Sequence, residues 1–84
     1  MERVIRFTRK SRKHKIGKAH ALFIIENNEP IREPGFEDFE YKLYWQGLDS
    51  RGVELEIVGV EFETEILIIH VMPTSYRRRS RNEV

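Results

Sequence analysis

The chain has 84 residues, of which 39% are apolar and 35% charged, and it contains no cysteine. That length suits one small domain with little surplus core, and the missing cysteine excludes a disulfide frame, a thiolate zinc site and thiol redox chemistry. The net charge of +1 hides a segregation: residues 1–20 carry eight Lys or Arg against Glu2, residues 21–75 three against twelve acids, and residues 76–84 four against Glu83.

In chain order, VIRF at 4–7 alternates enough for a short strand. TRKSRKHKIG at 8–17 reads as a polar, basic helical turn or two, with Thr8 as N-cap and Gly17 as the interruption. A second helix follows from Lys18 to Asn28. Ala21, Leu22 and Ile25 fall on one stripe, Phe23 and Ile24 widen it, and Asn27, Asn28 and Pro30 supply the stop. So wide an apolar arc implies burial against a sheet. IREPGFEDFE at 31–40 reads as a turn-rich acidic connection.

Three strands come next, YKLYWQG at 41–47, VELEIVGV at 53–60 and ILIIHV at 66–71, joined by the hairpin-length loops LDSRG and EFETE. This order predicts an antiparallel meander. Val53, Leu55 and Ile57 alternate with Glu54 and Glu56, so the middle strand is expected to turn one face to the core and at least half of the other to water. Trp45 shares a face with Leu43 and Tyr41 and is expected in the core. Pro73 ends the last strand because it cannot donate to the ladder, and TSYRRRSRNEV at 74–84, with its basic tail 76–84, forms a short helix or stays disordered. The expected fold is α+β, an N-terminal short strand and helix pair packed on an antiparallel three- to four-stranded sheet, in a single domain over residues 1–84. The apolar runs ALFII and ILII are too short for a membrane span and no signal-peptide core opens the chain, so a soluble cytoplasmic protein is expected.

The residues Lys13-His14 followed by Ile16, the AHALFII helix ending at Asn28-Glu29-Pro30, then LYWQG, DSRG, VELEIVGV, ILIIHV and YRRR occur in an order and spacing that resemble the BrnT branch of the RelE/ParE-like toxin superfamily. The chain departs from that pattern at three places: it lacks an opening Trp-Asp, it has Lys15 where glycine is usual, and it has Met72-Pro73 where family members tend to carry arginines. The resemblance implies the toxin of a bacterial type II toxin–antitoxin pair, an RNase that works without metal or, in related branches, a gyrase poison. It also implies RNA as substrate, including ribosome-associated mRNA, and a cognate antitoxin that covers a basic cleft and through which oligomers form.

Metal-free RNA cleavage by the 2′-hydroxyl needs a proton acceptor, a proton donor for the departing 5′-oxygen, and cations on the phosphate. His70, Tyr76 and Arg77 are candidates, joined by Lys13 and His14, while Arg9, Lys10, Arg12, Arg78 and Arg79 are candidate RNA contacts. Histidine titrates near neutrality and can take either proton role. His70 falls on the same strand face as Ile66 and Ile68, so a histidine capping the core edge is the competing assignment. His14 sits among Arg12, Lys13 and Lys15, neighbours that disfavour an imidazolium and suit a base; the alternative is a helix-end histidine with no task. Tyr76 either stacks on a base or donates a proton, or packs back on the sheet. If the two basic ends meet, they form a polyanion site; otherwise they are solvated termini. No cofactor or metal is expected, since His14 and His20, six residues apart, fall on different faces of a helix. A non-catalytic nucleic-acid- or protein-binding domain of the same fold is the second functional reading.

Overall fold

A computed structural model describes residues 3–12, 14, 16–35 and 41–76. Its elements are β1 (Val4–Phe7), a 3-10 turn (Lys10–Arg12), α1 (Lys18–Asn27), β2 (Ile31–Pro34), β3 (Tyr41–Leu48), β4 (Glu54–Glu61) and β5 (Glu65–Pro73), and residues 74–76 are helical. The strands form one sheet in the order β1-β5-β4-β3-β2. β2 through β5 are antiparallel neighbours, whereas β1 runs parallel to β5 with Val4 opposite Glu65 and Phe7 opposite Ile68.

Among the described residues, the expected helix pair on three or four strands is therefore corrected to one complete α-helix, Lys18–Asn27, and a five-stranded sheet. Where the first helix was expected, Thr8 does cap: its Oγ1 accepts the Ser11 amide at 3.1 Å and its carbonyl accepts the Ser11 hydroxyl at 2.6 Å. The structure that follows is a single 3-10 turn, because the segment has too few apolar residues to hold a longer helix on the sheet. Ile31–Pro34, expected as a turn-rich connection, is an edge strand. It shows no alternation because every one of its residues is exposed, and Pro34 sits on an edge, where a missing N–H is tolerated.

α1 lies on one face of the sheet. Ala21 and Ile24 pack there with Leu43, Trp45, Leu55, Ile57, Ile68 and Val71, all buried. Gly59 belongs to this face and leaves no room for a side chain: a Cβ there would stand 3.1 Å from Ile68 and 3.2 Å from Trp45. Glu61, also buried, receives Arg3 at 3.1 Å and Arg32 at 2.6 Å, so the flanks of the sheet are both tied to its central strand. Among the described residues no helix is long and apolar enough to cross a membrane.

Candidate functional site

The pairing of β4 with β5 slips in the middle. Val58 lies opposite His70 and Gly59 opposite Ile68, so Ile69 has no partner. A bulge of this kind re-aims the side chains beyond it. Ile68 and Val71 both reach the core although they are three residues apart, and His70, opposite Val58, turns to the face away from α1. The expectation that His70 shares a face with Ile66 and Ile68 is corrected by this one extra residue.

On that second face His70 meets a carboxylate. Its Nε2 is 3.2 Å from Oε1 of Glu56, and the Tyr44 hydroxyl donates to Oε2 of the same residue at 3.2 Å. Glu56 is only 3% exposed. With the carboxylate as acceptor, Nε2 donates in this contact and Nδ1 is the second proton site of the ring. β3, β4 and β5 thus supply Tyr44, Glu56 and His70 to one face, with Tyr44 and His70 both opposite Val58 and Glu56 two residues earlier on β4.

The N-terminal segment completes the cluster. β1 stops at Phe7, opposite Ile68, while β5 runs on to Pro73. The chain leaving β1 stays with β5, the Thr8 amide donating to the Ile68 carbonyl at 3.0 Å, and the 3-10 turn packs on the same strand. His14 follows two residues later. Its ring stands edge-on to Tyr76, with centroids 5.3 Å apart and planes at 85°, and edge-on to His70 at 6.5 Å and 84°. Tyr76 is 42% exposed and sits in the helical residues just after β5.

Of the residues singled out from sequence, the fold therefore gathers His14, His70 and Tyr76 into one cluster. Arg9, Lys10 and Arg12 are exposed on the turn that leads into it. Lys13, Arg77, Arg78 and Arg79 lie outside the described residues. Sequence reasoning missed Glu56 and Tyr44. The expectation that Glu56 faces water is corrected, because the side chains of Tyr44 and His70 from the two flanking strands meet it on that face. Nothing in the sequence marks Tyr44.

A second polar constellation lies in the β3–β4 turn. Asp49 Oδ1 accepts the amides of Arg51 at 2.8 Å and Val53 at 3.0 Å, and its Oδ2 accepts the Arg51 guanidinium at 2.7 Å. Burial pushes this carboxyl toward protonation, but the side-chain hydrogen bond from Arg51, the backbone donors and the Arg51 charge outweigh it and hold the pKa below the usual value. His20 of α1 approaches with Nδ1 3.8 Å from Asp49, beyond hydrogen-bond length. Gly52 closes the turn at φ +82°, a left-handed conformation that suits glycine. This constellation fastens a hairpin and offers a substrate nothing that the hairpin does not use.

Among the described residues no three His, Asp or Glu side chains gather as they would around a metal ion. Compared with known proteins, the chain matches no family model, no curated protein and no solved structure.

Proposed function

We propose that this chain is the toxin of a type II toxin–antitoxin pair and cleaves RNA through the 2′-hydroxyl with its own side chains. What carries the proposal is the convergence of two imidazoles and a phenol, His14, His70 and Tyr76, from segments distant in sequence, beside exposed cations on the Lys10–Arg12 turn. The two proton-transferring rings have centroids 6.5 Å apart, near enough for both to reach one phosphodiester at their shared rim.

His14, amid cations, accepts the proton of the 2′-hydroxyl as that oxygen attacks the adjacent phosphorus. His70, oriented by Glu56, gives a proton to the 5′-oxygen as its bond to phosphorus breaks. The products are a 2′,3′-cyclic phosphate and a 5′-hydroxyl end, so protons and bonds balance. Arg9, Lys10 and Arg12 offset the phosphate charge, joined by Lys13 and Arg77 from the adjoining sequence. A cognate antitoxin silences the site by covering this basic surface. A second reading rests on the burial of Glu56: a carboxylate fixed by Tyr44 and His70 also serves as a plain cross-strand tie in a domain that binds RNA or protein without cutting.

The deciding measurement uses purified protein and two RNA substrates, one ordinary and one with sulfur in place of the 5′-bridging oxygen. General acid catalysis contributes about 10²- to 10⁴-fold, so His70→Ala slows the ordinary substrate by roughly that factor. It recovers most of its rate on the sulfur substrate, whose leaving group needs no proton, while His14→Ala stays slow on both. Native protein that yields no new 5′-hydroxyl ends, with or without ribosomes, overturns the RNase assignment and leaves the binding module.

A further inference from the structure

We infer that β1 is the docking edge for a second copy of this chain, which joins antiparallel about Ile5 and doubles the five-stranded sheet. This does not depend on the RNase reading. β1 and β2 are the two ends of the sheet, and they present different edges. β2 carries Arg32, Glu33 and Pro34 in four residues, the charges and the missing N–H that discourage a further strand. β1 carries Val4, Ile5 and Phe7 around the single charge of Arg6. That charge is engaged within its own sheet, Arg6 Nη1 lying 3.1 Å from Glu65 Oε2.

The hydrogen bonding of β1 leaves its outer side open. The Val4 amide donates to the Thr64 carbonyl at 3.3 Å and the Thr8 amide to the Ile68 carbonyl at 3.0 Å. In a parallel ladder alternate residues serve one neighbour, so Val4, Arg6 and Thr8 face β5, and the N–H and C=O groups of Ile5 and Phe7 point the other way. Among the described residues no strand lies there. The Ile5 side chain is only partly buried against the core. With Ile66 and Glu26 it lines an open cleft of about 450 Å³ beside α1.

The register follows from the two faces of the strand. Ile5 and Phe7 pair with Ile66 and Ile68 on the α1 face, Val4 and Arg6 with Glu65 and Leu67 on the other. A two-fold axis that continues the sheet brings like faces together, so it passes through a residue and not between two. Centred on Arg6, it would set two guanidinium side chains against each other. Centred on Ile5, the outward N–H and C=O of Ile5 exchange bonds with those of the second copy. Val4, 63% exposed, then lies opposite Arg6 of the second copy, twice by symmetry, in the closer pairs without hydrogen bonds. The stem of Arg6 covers that valine while its head keeps Glu65. The two Ile5 residues stand about 5.5 Å apart at Cα, and their side chains cover each other beside the cleft. An isologous contact needs a self-complementary strand, and VIRF is one about Ile5.

Sedimentation velocity over a range of concentrations is the test. The native chain should sediment as a monomer–dimer equilibrium. Val4→Arg should weaken association roughly ten-fold, because it sets two like-charge contacts across the interface. Within its own sheet Val4 lies opposite Glu65, so the added cation meets an acid and the circular dichroism spectrum should stay native. Adding Arg6→Glu should restore association, since each new cation then faces a new carboxylate. The chain has no cysteine, which allows a second readout. Val4→Cys with Arg6→Cys, about 4.5 Å apart at Cα across the interface and within disulfide reach, should give a linked dimer on oxidation, and Val4→Cys alone should not. A native chain that stays monomeric at roughly millimolar concentration overturns the dimer and leaves the edge to a strand from another protein. A Val4→Arg chain that still dimerises, one that Arg6→Glu does not restore, or a double-cysteine chain that gives no linked dimer overturns the pairing about Ile5.

Discussion

Replacing Glu56 by glutamine changes the shape of the cluster hardly at all and its hydrogen bonding a great deal. The carboxylate accepts from Tyr44 Oη and from His70 Nε2, each at 3.2 Å. An amide offers one oxygen and one NH₂, so the charge is lost and one of the two partners must turn from donor to acceptor, as His70 does by carrying its proton on Nδ1. A hydrogen bond to a charged group contributes about 1.5–3 kcal/mol net. The distances here are at the long end of the range, and the His70 side chain is about a third exposed, which places the loss near 2 kcal/mol for Glu56→Gln. For a domain of this size that is a fall in Tm of about 8–16 °C. Glu56→Leu should cost less, about 1 kcal/mol or under, because removing a buried charge also removes its desolvation cost while Tyr44 and His70 keep access to water. Under the proposed RNase function both variants cut RNA more slowly, since the contact that orients His70 is altered in each. Thermal unfolding followed by circular dichroism, alongside cleavage rates, decides. A glutamine variant as stable as the native chain, or a leucine variant less stable than the glutamine one, refutes the account of Glu56 as a buried acceptor for Tyr44 and His70.

Gly59→Ala places a methyl group 3.1 Å from Ile68 and 3.2 Å from Trp45, and this overpacking should cost about 1–3 kcal/mol, read as a lower urea midpoint at unchanged m. Asp49 has a folded-state pKa below its unfolded one, so its contribution is present above the ordinary carboxylate value of about 3.9 and is lost as pH falls through the folded value. Asp49→Asn should therefore be less stable than the native chain at neutral pH, with the two stabilities converging in acid; urea midpoints measured across that range should show the gap close.

Much of the architecture could be read from local pattern. α1, the three strands of the meander, the stop at Pro73 and the burial of Trp45 with Leu43 all follow from apolar spacing and punctuation, and the structure has them within a residue or two. What escaped was non-local. Ile31–Pro34 becomes a strand because Tyr41–Tyr44 offers it an antiparallel partner, and no alternation marks a strand exposed on every residue. β1 finds β5 in parallel across most of the chain, a pairing that neither segment declares. The site was half legible: histidine and tyrosine beside basic runs drew attention to His14, His70 and Tyr76, yet the face on which His70 stands depends on a single unpaired residue, Ile69. Strict alternation cannot reveal such a shift. The same alternation made Glu56 look wet, when the side chains of Tyr44 and His70 from the flanking strands meet it on that face.

The parallel edge also sets an order of events. Arg3 and Phe62 hydrogen-bond across 59 residues of sequence, and contacts of that separation form late because loop closure must precede them. α1 and the β3–β4 hairpin close locally, whereas His14 reaches His70 and Tyr76 only once β1 has docked on the last strand. A growing polypeptide therefore carries a separated set of groups until β5 and the residues through Tyr76 have been synthesised. A partner that captured β1 or β5 before they met would keep His14 apart from His70 and Tyr76 without ever occupying the cluster itself.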